Sequence, residues 1–311
     1  MNPTKISYVD VSWNPVTGCT DELPCWSYCW ARRMATRLRG RAGYPADDPF
    51  RPTFHPDRLG EPARHKKPKR IAVSFMGDIF NAEVPREWRY EVMRAVKGAL
   101  QHTYLFLTKR PELAAKEIDW REYPNLWIGT SVDDQATADE RIPHLFRCRA
   151  ANRWLSIEPM RGSVDVRKLC SGWVLDHPEN YIDWVVLGGG PFPMEADSVR
   201  SVRNQCQAAG VPFFFKQWGD WVPFATRATY DDGTVLGGDC GGPCGMQPLP
   251  NGRWSVHFRT GQIKTAVVAE PEDHRWGRDN ALHCTYCRVG KKLAGRLLDG
   301  REWNEIPGTE D

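Results

Sequence analysis

The sequence of 311 residues lacks long apolar runs, internal repeats and low-complexity tracts. No segment approaches the roughly 18 consecutive apolar residues that a membrane-spanning helix needs. The N-terminal segment MNPTKISYVDVSWNPV has no apolar stretch of the kind found in signal peptides. These absences predict a cytoplasmic protein without a membrane partner, in which the cysteines are reduced thiols or metal ligands.

The chain also carries little net charge, with a formal value of +3. Its basic residues are nevertheless concentrated in RMATRLRGR (33–41) and ARHKKPKR (63–70). Such clusters can give one face a positive field and favour a polyanionic partner. The alternative is that they are a solvated helix face and a solvated loop.

Short apolar runs rich in Val, Ile, Phe and Trp alternate with longer segments of helical period. This alternation is typical of repeated βα units and predicts an α/β fold with a parallel sheet. The predicted strands are at 8–13, 70–76, 103–108, 125–132, 153–158, 182–188 and 211–216, and the predicted helices at 25–39, 86–101, 134–146 and 196–209. We expect a partial or full TIM-like barrel with its active site at the carboxyl ends of the strands. A doubly wound open sheet is the alternative.

The composition changes near residue 219. The segment 220–289 is rich in Gly, Pro, Asp and Trp, lacks helical periodicity and is predicted to be an irregular insertion. We therefore expect a barrel over 1–219, this insertion over 220–289, and a tail, 290–311, that returns to the barrel.

The insertion contains two close pairs of cysteines, Cys240 with Cys244 and Cys284 with Cys287. Their spacing suits one four-thiolate metal site, in which His283 could replace a cysteine. A structural Zn²⁺, an auxiliary iron–sulfur cluster and no metal at all remain open. The scattered Cys148, Cys170 and Cys206 are predicted to be buried thiols.

Three further cysteines, Cys19, Cys25 and Cys29, lie within eleven residues just after the first predicted strand. A helix would place Cys25 and Cys29 one turn apart, with Cys19 arriving from the preceding loop. Three thiolates suit a cubane iron–sulfur cluster whose fourth iron has no protein ligand. A zinc site would need a distant fourth ligand, since the nearest histidine is His55. Structural cysteines that merely lie close together are the third interpretation.

Seven blocks of sequence extend this motif along the chain. In order they are WNPVTGC, SFMGDIF, FLTKRPE, IGTSVDDQATADERIPHL, LSIEPMRG, QCQAAGVPFFFKQWG and GKKLAGRLLDGREWNEIPG. Together with the three cysteines they resemble a phage-associated family of radical S-adenosylmethionine (SAM) enzymes, long catalogued as being of unknown function. The similarity runs from about residue 7 to 219 and resumes at 290. The cysteine spacing departs from the pattern common in radical SAM enzymes.

The resemblance implies a partial (β/α)6 radical SAM barrel, a [4Fe-4S] cluster held by Cys19, Cys25 and Cys29, and SAM as a cofactor. It also implies that an electron donor such as a flavodoxin or ferredoxin reduces the cluster, so that SAM is cleaved to a 5′-deoxyadenosyl radical. The SAM-binding residues that it implies are Tyr28, Met76, Gly77, Asp78, Ser131, Glu158, Gly188 and Gly189. Asp78 is expected to meet the amino group of SAM, because a carboxylate suits an ammonium.

Several of these residues have a structural alternative. Asp78 could be a helix cap, Glu158 a surface acid, and the run Gly188 to Gly190 a tight turn. Lys109 and Arg110, after the third predicted strand, could bind a carboxylate or phosphate or form a surface salt bridge.

The substrate is a hypothesis built on the phage association, the basic clusters and the 14 tryptophans. Aromatic faces and cations are what an enzyme needs to extrude and hold a base of DNA. The first hypothesis is an isomerase that remodels a hypermodified pyrimidine, an amino-acid-substituted thymine, in phage DNA inside an infected cell. The alternatives are a radical SAM enzyme that acts on a peptide or small metabolite, and a non-catalytic zinc-bearing nucleic-acid-binding protein.

Overall fold

The computed structural model describes residues 1–20, 23–167, 181–229, 235–237, 245–248, 254–257, 263–269, 284–288 and 290–309. Within 224–287 the description is of the backbone. The chain divides into two compact units, the first made of 1–132, 136–156 and 167–184 and the second of 133–135, 157–166 and 185–311. The predicted segment boundaries at 219 and 289 stay a prediction.

Among the described residues, ten strands lie before residue 218. They are β1 (Asn2–Pro3), β2 (Val11–Trp13), β3 (Val16–Thr17), β4 (Thr53–Phe54), β5 (Arg70–Val73), β6 (Thr103–Thr108), β7 (Leu126–Val132), β8 (Asn152–Ile157), β9 (Trp184–Gly188) and β10 (Phe213–Gln217). Each of the seven predicted strands corresponds to one of them. The short strands β3 and β4 form a separate antiparallel pair.

The other eight strands form one sheet in the order β1-β2-β5-β6-β7-β8-β9-β10. β1 is antiparallel to β2, whereas the pairs β2–β5, β5–β6, β6–β7 and β9–β10 are parallel. The predicted α/β fold with a largely parallel sheet is therefore confirmed. The order follows the chain without a reversal, unlike that of a doubly wound sheet. Closure of the sheet into a barrel stays a prediction.

In the ranges that the structure covers, six α-helices accompany these strands. They are α1 (Trp30–Arg37), α2 (Arg86–Lys97), α3 (Pro111–Glu117), α4 (Gln135–Arg147), α5 (Ala196–Ala209) and α6 (Lys291–Ala294). Short 3₁₀ helices cover Pro24–Tyr28, Pro56–Arg58, Pro62–Arg64 and Trp120–Glu122. In the part of the chain that the structure describes, no helix is both long enough and apolar enough to cross a membrane.

The helix predicted over 25–39 is wrong in its first turn. A 3₁₀ helix, Pro24–Tyr28, is followed by Cys29 in an extended conformation (φ −60°, ψ 118°), and α1 begins only at Trp30. Cys25 and Cys29 are therefore not one α-helical turn apart. Trp26, Trp30, Met34 and Leu38 recur every four residues in the sequence, which indicates one apolar face, but the side chains that α1 buries are Ala31 and Ala35.

Aromatic side chains fill much of the core. Tyr8 meets Trp184 edge to face at 5.3 Å, and Trp154 lies 5.4 Å from Trp184, ring centroid to centroid. The tryptophans that are almost completely buried are Trp13, Trp120, Trp154, Trp184 and Trp218. These rings pack against protein and are not available to a ligand.

The described residues after 220 contain six strands: β11 (Trp221–Thr229), β12 (Val235–Gly237), β13 (Gly245–Pro248), β14 (Trp254–His257), β15 (Ile263–Ala269) and β16 (Cys284–Arg288). They pair antiparallel in chain order, and β16 returns to β11. The segment predicted to be irregular thus contains regular strands. Cys170, Cys240, Cys244 and His283 lie outside the described residues, as do the side chains of Cys284 and Cys287, so the predicted four-cysteine site stays a prediction.

The tail after residue 290 packs on β10. The backbone N–H of Phe215 donates to the Trp303 carbonyl (3.0 Å), and the indole N–H of Trp218 donates to the Leu297 carbonyl (2.8 Å). Phe214 and Asn304 form an antiparallel bridge. The tail therefore lies along the last strand of the sheet order.

Candidate functional site

The loop after β2 and the loop after β5 are joined through two glycines. Gly18 and Gly77 form a parallel bridge, in which the Gly18 N–H donates to the Met76 carbonyl (3.0 Å) and the Asp78 N–H to the Gly18 carbonyl (3.2 Å). A Cβ on Gly77 would lie 2.3 Å from the Gly18 carbonyl oxygen, so the approach requires glycine. The bridge brings Cys19 and the Met76-Gly77-Asp78 motif to the same place, at the carboxyl ends of β2 and β5.

The three clustered cysteines are half-buried. Cys19, Cys29 and Met76 pack against one apolar cluster. The buried members of this cluster are Ala31, Ala35, Tyr44 and Phe50. Cys25 lies in the 3₁₀ helix that precedes Cys29.

No group of three His, Cys, Asp or Glu side chains within the described ranges could hold a metal ion. A single zinc ion needs its ligands gathered around one point. In a cubane each thiolate binds a different iron, so the sulfurs stand farther apart. Three cysteine thiolates are the donor set that a cubane with one open iron takes, and a cluster at Cys19, Cys25 and Cys29 stays a prediction.

Two buried side chains donate to the Cys19 sulfur. The Asn81 amide nitrogen lies 3.5 Å and the Arg110 Nη1 3.7 Å from Cys19 Sγ. The same two side chains donate to the Thr20 hydroxyl, at 2.7 Å and 3.4 Å. Burial raises the pKa of the Cys19 thiol and the Asp78 charge raises it further, whereas Arg110 and Asn81 oppose this increase.

The Asp78 carboxylate is buried and surrounded by donors of the protein itself. The Thr108 hydroxyl lies 2.8 Å and 2.9 Å from its two oxygens. The backbone N–H groups of Phe80 (3.0 Å) and Lys109 (3.1 Å) and the Arg110 guanidinium (3.4 Å) complete the set. Asp78 is thus not a cap of α2, which begins at Arg86, and contact with the amino group of SAM stays a prediction.

Two other predicted residues of the first unit lie near the ends of elements. Tyr28 ends the 3₁₀ helix just before Cys29. Ser131 is buried in β7, where its carbonyl accepts a hydrogen bond from Arg141 Nη1 (2.7 Å). Their roles toward SAM stay predictions.

The second unit contains a separate polar group around Glu158. Lys216 Nζ lies 2.8 Å and 2.6 Å from the two oxygens of the Glu158 carboxylate, and the Gln217 amide donates to one of them (3.2 Å). A Cβ on Gly188 would lie 3.3 Å from this carboxylate, and one on Gly189 only 1.9 Å from the Trp218 carbonyl oxygen. Glu158 is therefore a half-buried, paired acid. Gly189 is needed for the packing of the protein itself, whereas a Cβ on Gly188 would require a shift of a few tenths of an ångström.

Sequence reasoning missed Asn81, Thr108 and Lys216 as partners in these groups. A signal was present for two of them, since Thr108 and Lys216 are polar residues at the carboxyl ends of buried strands. Asn81 lies in a loop and had no such signal. Arg110 was singled out, but as a surface or ligand-binding cation, whereas its side chain is buried against Asp78.

Comparison with known proteins places the chain in a family. No curated protein matches it. A family model described as "Protein of unknown function (DUF5131)" matches residues 3–307, which is nearly the whole chain. The chain therefore belongs to the DUF5131 family.

Proposed function

We propose that this protein is a radical SAM enzyme with a [4Fe-4S] cluster held by Cys19, Cys25 and Cys29. The observation that carries the proposal is the Gly18–Gly77 bridge. It unites a three-cysteine loop after the first parallel strand with a Gly-Asp motif after the second, which is the arrangement implied by the resemblance. When bound, the cluster would supply the one electron that cleaves SAM, and a flavodoxin or ferredoxin would supply that electron to the cluster.

The residues of this chain have their own tasks in the proposal. The apolar cluster around Tyr44 and Phe50 excludes water from Cys19 and Cys29. Tyr28, Met76, Gly77 and Ser131 are the proposed SAM contacts of the first unit, and Glu158, Gly188 and Gly189 those of the second. The side chain of Asp78 is occupied by internal donors, which favours a supporting role for it.

For the substrate we propose a base in DNA, specifically an amino-acid-substituted thymine that the enzyme isomerises. Support comes from the exposed arginines on and after α1, which are Arg32, Arg33, Arg37, Arg39 and Arg41. Trp30, directly after Cys29, is 50% exposed and could stack on an unpaired base. The tryptophan count itself supports this less than expected, because seven of the rings in the described residues are buried. The basic segment 63–70 leads into the amino end of β5, away from the edge with the cysteines.

The test of the chemistry is anaerobic purification, iron analysis and incubation with SAM and a reductant. We expect brown protein absorbing near 400 nm that forms 5′-deoxyadenosine. Replacing Cys19, Cys25 and Cys29 with Ala should remove about four irons per chain and abolish SAM cleavage. The matched control replaces the buried Cys148 and Cys206 and should keep its iron. Full iron content in a folded triple variant would contradict the proposal, and colourless protein with zinc alone would favour the binding-protein alternative.

The test of the substrate is DNA binding at several salt concentrations, with nucleoside mass analysis after reaction. Log affinity should fall with log salt by about 0.7 to 0.9 per phosphate contacted. Neutralising Arg33 and Arg37 with Gln should flatten this slope by up to about two units. The matched control is Arg86 and Arg94 on α2. Absence of DNA binding at low salt would leave the peptide or metabolite alternative.

A further inference from the structure

We infer that Arg110 and Asn81 are positioning residues that set the electron affinity of the cluster through the Cys19 sulfur, and that Asp78 holds Arg110 in place for this. The inference rests on the proposed function. It assigns to Asp78 a role different from direct contact with SAM.

The first step is the position of Arg110. Its side chain is 8% exposed, and its guanidinium reaches Asp78 (3.4 Å), Thr20 (3.4 Å) and the Cys19 sulfur (3.7 Å). A guanidinium is a rigid fork of donors, so one side chain can serve three acceptors at once. Its positive charge is thereby fixed beside one thiol of the three.

The second step is the fixing of Asn81. The residue is 0% exposed, and its Nδ2 donates to both Cys19 Sγ and the Thr20 hydroxyl. Its Oδ1 accepts from the Glu83 N–H (2.8 Å), and its own N–H donates to the Asp78 carbonyl (3.0 Å). The amide oxygen is engaged on the other side, so the nitrogen is the atom that faces the sulfur.

The third step is the anchoring of Asp78. Thr108 and the backbone N–H groups of Phe80 and Lys109 hold the carboxylate from three sides, so it cannot turn away from Arg110. In a buried site such a network is stronger than in water. Asp78 therefore orients Arg110 toward Cys19.

The consequence follows from the charge of an iron–sulfur cluster. Reduction adds negative charge, which spreads onto the cysteine sulfurs, and N–H donors and nearby cations stabilise that state. Arg110 and Asn81 should therefore make the reduction potential of the cluster less negative than it would be without these two donors to the Cys19 sulfur. An electron donor of a given potential could then reduce the cluster more completely.

The experiment is a mediated redox titration of the reconstituted holoprotein, followed by absorbance and EPR. We expect Arg110→Met and Asn81→Leu each to shift the midpoint potential in the negative direction at full iron content, and Arg110→Lys to shift it less than Arg110→Met. The matched controls are Arg89→Lys, a buried arginine paired with Glu117, and Asn125→Leu, both of which should titrate like the wild type.

Unchanged potentials in Arg110→Met and Asn81→Leu would overturn the inference while leaving the proposed function intact. Loss of the cluster in both folded variants would also overturn it, because the side chains would then serve assembly rather than potential. A wild-type protein that takes up no iron would instead sink the proposed function, which separates the two failures.

Discussion

At Asp78 a single carboxylate accepts hydrogen bonds from a hydroxyl, two backbone N–H groups and a guanidinium. The side chains of Asp78 and Arg110 are 9% and 8% exposed. When one partner of a buried ion pair is removed, the remaining charge is still desolvated but no longer has a counter-charge. Removing either Asp78 or Arg110 should therefore destabilise the folded protein.

Replacing Asp78 with Ala should lower the free energy of unfolding by about 3 to 5 kcal/mol, because Arg110 would be left without its counter-charge. Chemical denaturation measures this loss. The exposed pair of Asp119 and Arg121 provides the control, and Asp119→Ala should cost much less than Asp78→Ala. Equal losses in the free energy of unfolding at the two positions would mean that burial does not make the Asp78 pair more important for stability.

The stability of the first unit depends on pH through His55. The residue is 4% exposed and its ring lies 2.8 Å from the Thr17 hydroxyl. Burial, with a smaller contribution from the Arg58 charge, lowers the pKa of His55 from 6.5 to about 4, and Asp57 opposes the change. Between these values the unfolded chain binds a proton that the native protein does not.

The contribution of His55 to stability is therefore complete above about pH 6.5 and lost as the pH falls toward 4, by up to about 3 kcal/mol. Below about pH 4 the loss should level off. His55→Gln cannot titrate, so its free energy of unfolding should fall less between pH 7 and pH 4.5. Parallel pH profiles for the two proteins would refute this assignment.

Among the elements, α1 marks the limit of sequence reasoning. The period of Trp26, Trp30, Met34 and Leu38 predicted an apolar face, yet Trp30 and Met34 are 50% and 38% exposed. The small Ala31 and Ala35 face inward because they allow close packing against Tyr44 and Phe50. Hydrophobicity scales favour large side chains. The close packing of small residues against another part of the chain depends on the tertiary structure, which such scales do not include.

The strands were predictable, because a strand buried on both faces has to be a continuous apolar run. The run TYLFLT, for example, is β6 with the predicted bounds. The loop positions of Cys19 and Gly77 also followed from the strand ends. What could not follow is the internal pairing of Asp78 with Arg110 or of Glu158 with Lys216, since each pair joins residues distant in sequence. The short helix α3 was not predicted, because its seven residues are too few to show a clear helical period.

The bridge between the two loops predicts a strict requirement at Gly77. Gly77→Ala should destabilise the protein by about 1 to 3 kcal/mol or more, because its Cβ would meet the Gly18 backbone at 2.3 Å. The loss should be accompanied by lower iron content after reconstitution. Gly60→Ala is the control, since its nearest neighbour would be an Arg64 side-chain nitrogen at 3.9 Å. A Gly77→Ala protein as stable as Gly60→Ala would contradict the bridge.

At the scale of the whole chain, sequence composition predicted a change of texture near residue 219 but not its structure. Alternating segments such as WSVH and IKTAVVA form β14 and β15. The runs are short and lie in a sequence rich in glycine and proline, which conceals the alternation. The pairing that closes this set, β11 with β16, joins its first and last strands, and no local pattern reports such a contact.

The last residues of the chain contribute to the stability of the second unit. Trp303 is 5% exposed and meets Phe213 edge to face at 6.0 Å, and the Cζ atoms of Arg203 and Arg301 lie 5.1 Å and 3.4 Å from its ring centroid. Trp303→Ala should cost about 3 to 5 kcal/mol, because it empties a packed position. Leu297→Ala, in the same tail but 45% exposed, should change stability by about 0.5 kcal/mol or less. Thermal or chemical denaturation distinguishes the two, and similar costs would refute a structural role for the tail.

The same tail has a consequence for how the protein is made. β10 is the last strand in the sheet order, and its backbone meets Trp303 and Asn304, close to the end of the chain. During synthesis β10 emerges well before these residues, so its edge is open to other chains until they have followed. Stalled or truncated products that end before residue 290 should therefore aggregate, although they contain every strand of the sheet.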